Sequence, residues 1–119
     1  MKSYPQELGF ISEAIACNYL KEKGYKILQT NYKNKLGEID IIAQEKNTLV
    51  FVEVKSRLST KFGLPREAIN FYKKKKIKEV ATVYLKQKKL FDNICVRFDC
   101  IEILGKKTDY KIEHLTNIF

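Results

Sequence analysis

The sequence predicts an α/β fold in which one sheet carries a helix on each side, its elements running in the order α-β-β-β-α-β(β). Three observations predict it. Two stretches, one near the N-terminus and one from Arg66 to about Lys89, repeat apolar residues at helical spacing. The segments between and after them are rich in Val, Ile and Phe, in short apolar runs or in two-residue alternation. At 119 residues the chain is the size of one domain. It can bury about two-thirds of the surface it exposes when unfolded. Residues 1–119 therefore read as a single domain, and a sheet covered by helices is its economical packing.

Pro5 suits the first turn of a helix, and Leu8, Ile11, Ile15 and Tyr19 follow helical spacing. Gly24 ends that helix, just after Lys21 and Lys23. Tyr25 to Leu28 is a short strand candidate. Gly37 to Ala43 is an apolar strand with an acid inside it. Glu45 to Thr48 is a polar turn, and Leu49 to Lys55 is a second strand, so these two should pair as a hairpin. Ser56 to Pro65 reads as a loop with Gly63 and Pro65 as breakers. In the second helix Ile77, Val80, Ala81 and Tyr84 share a face. Cys95 to Ile103 alternates like a strand, and Lys111 to Leu115 is a further candidate.

Composition narrows the functional classes. With 45% hydrophobic residues the chain is globular rather than disordered. No apolar run approaches the roughly 18 residues of a membrane span, and the N-terminus lacks the pattern of a secretory signal. Cys17, Cys95 and Cys100, with His114 as the one histidine, supply neither a zinc cage nor a disulfide framework. The three cysteines read as small core residues, and His114, without an acidic or nucleophilic neighbour in sequence, is assigned no chemistry. A reducing cytoplasm is the expected compartment. The formal net charge is +9, and residues 60–90 hold ten basic and two acidic side chains. Such a concentrated excess points to a polyanion-facing surface; a solvated lysine-rich helix is the plain alternative.

Three polar residues stand where apolar ones are expected. Asp40 interrupts Ile39, Ile41 and Ile42; Glu53 and Lys55 interrupt Phe51, Val52 and Val54. Residues two apart on a strand share a face, so Glu53 and Lys55 project together while Val50, Val52 and Val54 point away. With normal hairpin pairing, Asp40 lies across from that pair. Buried carboxylates need a partner or a metal, two of them repel, and a divalent cation relieves both. Oxygen ligands of this kind suit Mg²⁺ or Mn²⁺, with waters filling the other positions. A neighbouring ammonium can orient an attacking water or stabilise phosphorane charge. The chemistry implied is metal-assisted phosphodiester hydrolysis. Glu13 shares a helical stripe with Gly9, Ala16 and Leu20, whose small members let that face approach the sheet and bring a third carboxylate to the metal. Taken singly, each residue also reads as an ordinary ion pair, cap or exposed acid.

An E-x-K strand preceded by an acid resembles the motif of the PD-(D/E)XK nuclease superfamily, which includes restriction endonucleases and archaeal Holliday junction resolvases. More closely, the chain resembles the YraN-like family of bacterial proteins. Gly37 to Ala43 and Phe51-Val52-Glu53-Val54-Lys55 with Arg57 carry most of the likeness. Gly9, Glu13, Ala16, Gly24-Tyr25, Asn31-Tyr32, Gly63, Lys73, Arg97-Phe98-Asp99 and the tail from His114 to Phe119 support it. The superfamily's leading proline is missing, since Ile39 precedes Asp40. The resemblance implies a restriction-endonuclease-like three-layer α-β-α sandwich with a central mixed sheet. It implies Asp40, Glu53 and the Val54 carbonyl as metal ligands, Lys55 as the catalytic lysine, and Glu13 as the helix-borne acid of junction resolvases.

The expected function is a Mg²⁺- or Mn²⁺-dependent endonuclease acting on nucleic acid, foremost DNA and in particular branched DNA, without membrane or small-molecule cofactor. A junction-like substrate needs two sites in fixed relation, hence a homodimer. Lys73, Lys74, Lys75, Lys76 and Lys78 would track the phosphate backbone without reading sequence. Arg57 would contact a phosphate or form a surface salt bridge, and Glu38 takes a minor supporting role. Phe71, Tyr72 and Tyr84 read as core. The alternative is a non-catalytic nucleic-acid-binding module that retains the nuclease fold; an adaptor docking an acidic protein ranks last.

Overall fold

The computed structural model describes residues 4–57, 71–90, 94–106 and 109–119, with the side chains of 4–10, 57, 71, 72 and 106 outside the description. Helix α1 (Tyr4–Glu22) is followed by strands β1 (Lys26–Asn34), β2 (Gly37–Glu45) and β3 (Thr48–Arg57), helix α2 (Phe71–Lys88), and strands β4 (Cys95–Lys106) and β5 (Asp109–Leu115). The expected order therefore stands. The loop read at Ser56–Pro65 falls from residue 58 onward outside the described residues, as does the helix start read at Arg66. Ser56 and Arg57 belong to β3.

The five strands lie in chain order in one mixed sheet. β1, β2 and β3 form an antiparallel meander, β3 and β4 run parallel, and β4 and β5 close as an antiparallel pair. A parallel step cannot be made by a tight turn, and α2 lies in the β3–β4 connection. β1 is much longer than the Tyr25–Leu28 expected from sequence. Most of its side chains are exposed, so it shows little of the apolar alternation that reveals a half-buried strand. Its pairing with β2 shifts register between Ile27 and Gln29, a bulge on an edge strand.

Alternation along β3 divides the core. Val50 and Val52 meet Ala16, Leu20, Ile41, Ala43 and Ile101, with Val54 packed alongside, on the α1 face. Leu49 and Phe51 meet Ile39, Ile42, Ile77, Val80, Ala81 and Tyr84 on the α2 face. Each helix covers one face of the sheet. On α1 the buried line is Ser12, Ala16 and Leu20, whereas Ile11, Ile15 and Tyr19 are half-buried. Small residues face the sheet and let the helix approach it; Ile11, Ile15 and Tyr19 cover its flank. Rings form a column beneath α2: Tyr84 meets Tyr32 and Phe51 edge-on, and Phe98 stacks between Phe51 and Phe119. Of the cysteines only Cys100 is buried; Cys17 is half-buried and Cys95 exposed, so Cys95 is not the core residue expected.

Candidate active site

The β2–β3 ladder runs from Glu45↔Thr48 to Ile41↔Val52 and stops there. The next two residues are Asp40 and Glu53. The Val54 N–H, instead of joining the ladder, donates to Asp40 Oδ2 at 2.8 Å. Ile39 and Ile41, two apart, belong to opposite apolar clusters, so the regular alternation of β2 breaks around Asp40. The strands part at the point where both carry a carboxylate. The result is a recess of about 330 Å³ whose walls include Asp40, Glu53, Glu38, Lys73, Lys76 and the apolar Leu36, Ile77 and Val80.

Glu53 is the electrostatic centre of this recess. Its Oε1 lies 3.1 Å from Lys73 Nζ and 3.6 Å from Lys55 Nζ, with all three side chains largely withdrawn from solvent. Burial, and then the neighbouring Glu53, raise Asp40 from the ordinary 3.8 to about 7, against the Val54 hydrogen bond that favours its ionised form. Burial and the neighbouring Lys73 lower the Lys55 ammonium below the usual lysine range. Burial also works against charge on Lys73, but its contacts with Lys55 and Glu53 hold its pKa above the ordinary value.

Glu13 sits on the α1 side in a separate hollow of about 180 Å³ with Ala14, Cys17, Thr30 and Asn31. Burial raises its pKa, a hydrogen bond with Asn31 opposes this, and Glu38 adds to it. Its charge also reaches Asp40. Glu13 is thus an electrostatic neighbour of the recess but does not line it. Glu38 is exposed on the rim and lies 3.7 Å from Lys33.

Of the expected basic contacts, Lys73 and Lys76 line the recess. Lys75 is exposed. Lys74 and Lys78 stand over the ring of Phe119 at 5.7 and 5.5 Å. The side chain of Arg57 lies outside the described residues, as do those of Phe71 and Tyr72. Tyr84 is in the core, as read from sequence.

Two features escaped the sequence. Glu102, 1% exposed, neighbours Lys55 in the β3–β4 register. Burial and then Glu102 push the Cys100 thiol up to about 12, with Glu53 adding to the effect, so this acid belongs to the same charged face. Its signal was an acid between Ile101 and Ile103. The second feature gives His114 an acidic partner distant in sequence. On the α1 face, Asp99 is 1% exposed and accepts two bonds from the Arg97 guanidinium, both 2.8 Å, and one from the Asn117 N–H at 3.0 Å. His114 Nε2 lies 2.7 Å from Asp99 Oδ2, and His114 Nδ1 lies 3.2 Å from the Tyr19 hydroxyl. Arg97 also donates to the Tyr25 hydroxyl at 2.7 Å and reaches Glu45 at 3.2 Å. This network ties β4, β5 and the C-terminal tail to α1, Tyr25 and β2.

Among the described residues no group of three or more His, Cys, Asp or Glu side chains could hold a metal ion together. Asp40 and Glu53 are the two carboxylates that the recess offers at its floor. That donor set fits Mg²⁺, which is commonly held by one or two carboxylates together with waters and substrate phosphate oxygens. Burial, and then Glu53, raise Asp40 against its charged form, a cost that a divalent cation would offset.

A family model, "Uncharacterised protein family UPF0102", matches residues 12–103, which take in α1 from Ser12 onward, all of α2, the recess and most of β4. A UPF0102 protein of Caldanaerobacter subterraneus is 49% identical over 115 residues, covering 94% of this chain and 93% of that one. One from Clostridium beijerinckii is 46% identical, covering 100% and 98%. One from Clostridioides difficile is 46% identical over 114 residues, covering 96% and 97%. These names state no activity.

Proposed function

The chain belongs to the UPF0102 family, and within it we propose that this protein is a Mg²⁺-dependent endonuclease of the PD-(D/E)XK type, with a restriction-endonuclease-like fold, that hydrolyses phosphodiester bonds of DNA. The observation that carries this reading is the recess itself. Two carboxylates from adjacent strands converge where the ladder ends, with two lysines at one of them and the other raised to about 7. Perturbed groups gathered in a concave site are a mark of chemistry rather than of stability.

In this reading Asp40 and Glu53 hold the cation, with the Val54 carbonyl assigned to it by family resemblance. The bound ion would polarise the phosphodiester and lower the pKa of a water. Hydrolysis joins the water oxygen to phosphorus and expels one ester oxygen, which takes up a proton. Lys55, 3.6 Å from Glu53, orients that water and stabilises the charge that develops on phosphorus, while the water's proton passes to solvent, which returns one to the leaving oxygen. Lys73, which keeps its charge, neutralises the phosphate. Glu13 acts on Asp40 through its field. The basic face of α2 holds the strand by its backbone, and a homodimer would present two such sites to branched DNA.

One observation favours a second reading, a binding module without catalysis. Lys55 and Lys73 both reach Glu53, and such a trio also serves as a buried ion pair. Variants separate the two. Asp40→Ala, Glu53→Ala and Lys55→Ala should each abolish Mn²⁺-supported cleavage of branched, single-stranded or duplex DNA while DNA binding persists. Cleavage that survives in all three would refute the catalytic assignment.

A further inference from the structure

We propose that the recess takes one unpaired nucleotide of the nucleic-acid strand, which makes single-stranded segments, rather than continuous duplex, the substrate class of the site. The inference rests on the nuclease reading for what happens to the phosphate, but it stands on the size of the recess and its apolar lining residues.

The recess is chemically mixed: the charged Asp40, Glu53, Lys73 and Lys76 line it together with the apolar Leu36, Ile77 and Val80, of which Leu36 is the exposed one. At about 330 Å³ it is at the small end of ligand pockets, roughly 300–1,000 Å³, a size that suits a single nucleotide. A nucleotide has the same mixed character, an anionic phosphate and a flat apolar base. With the phosphate toward Lys73 and Lys76, the base is left to Leu36 and the apolar side chains beside it. In a duplex the base faces are stacked on one another, whereas an unpaired base has its faces free for protein contact.

The apolar lining is held in place. Leu36 is 41% exposed at the β1–β2 turn and lines the recess, so its side chain is open to a ligand there. Asn34 clamps that turn: its Oδ1 accepts from the Leu36 N–H at 2.8 Å, and its Nδ2 reaches the Val80 carbonyl of α2 at 3.5 Å and the Tyr32 hydroxyl at 3.4 Å. Gly37 brings the turn close to α2, since a Cβ there would lie 3.2 Å from Val80 Cγ2. The turn that carries Leu36 is thus held against α2 at the recess.

The test is equilibrium binding by the full chain, in EDTA, of a fluorescently labelled 20-nucleotide single strand and of the same sequence as a blunt duplex. The single strand should bind at least tenfold tighter. Leu36→Ala should weaken single-strand binding three- to tenfold and leave duplex binding unchanged. Asn34→Ala, which removes the clamp without touching the apolar lining, should act in the same direction. Equal affinities for the two forms, or a Leu36→Ala effect of the same size on both, would overturn the inference. A parallel Mn²⁺ cleavage assay keeps the two readings distinguishable. Strand preference without any cleavage sinks the nuclease and leaves the nucleotide pocket; cleavage without strand preference sinks only the pocket.

Discussion

Replacing Asp40 by asparagine should make the metal-free protein more stable while removing its proposed activity. The magnitude follows from the carboxyl itself. Its ordinary pKa of 3.8 is raised to about 7 by burial and by Glu53. At about 1.4 kcal/mol per tenfold change in ionisation, the charged form costs folding at most about 4 kcal/mol. Solvent at the open side of the recess reduces this to roughly 2 kcal/mol. The sign is set by linkage: between pH 3.8 and about 7 the folded chain holds a proton that the unfolded chain has lost. Stability therefore falls as pH rises through that window, and the whole cost is present above it. Asparagine has no charge to bury, and its carbonyl oxygen can still accept from Val54. Urea denaturation in EDTA should find Asp40→Asn more stable than the wild type by about 2 kcal/mol at pH 8, with the difference vanishing near pH 4. A variant less stable at pH 8, or a difference indifferent to pH, would refute the electrostatic account of the recess.

Asp99→Ala should cost about 3 kcal/mol at pH 7, because it leaves a partly buried guanidinium and an imidazole without their common acceptor; a loss under 1 kcal/mol in urea denaturation would contradict this. Burial alone would raise the Asp99 carboxyl, but the bonds from His114, Arg97 and Asn117 hold it below the ordinary range. Its contribution is therefore present above pH 3.8 and lost as pH falls through the lower folded value. Lys74, Lys75 and Lys78 changed together to alanine should weaken DNA binding and flatten the slope of log affinity against log salt by about 3, with no preference among DNA sequences. An unchanged slope would remove α2 from the interface. Lys73→Ala should instead depress cleavage far more than affinity, since this lysine is engaged with Glu53; equal losses in both would return it to the backbone-contacting group.

Much of the fold was legible because it is written in local pattern. Gly24, the alternation of β3 and the Ile77–Tyr84 stripe each use a rule that spans a few residues, and each is matched by the elements observed. β1 was legible only in part, because an exposed edge strand buries too few side chains to display a period. On α1 the stripe of Gly9, Glu13, Ala16 and Leu20 reads as the face that approaches the sheet, and Ala16 and Leu20 are fully buried there; buried Ser12 is the member the pattern does not single out. Asp40, Glu53 and Lys55 stood out because they interrupt apolar runs, and the structure brings all three to one side of the sheet. Asp99 and His114 are 15 residues apart and Arg97 bonds to Tyr25 from 72 residues away. Only strand register makes such partners, and one sequence does not contain that information. Lys73 reads from sequence as one of the lysines that track a phosphate backbone; its contact with Glu53 depends on where α2 begins over the sheet.

The central claim is that Asp40 and Glu53 form a metal site that supports hydrolysis. A calorimetric titration with Mn²⁺ and with Mg²⁺, on the wild type and on Asp40→Ala/Glu53→Ala, addresses it most directly. The account predicts binding to the wild type only, with a pH dependence that reports the proton displaced from Asp40 and with DNA cleavage by the same metal-loaded sample. No binding to the wild type, or equal binding to both proteins, would contradict it.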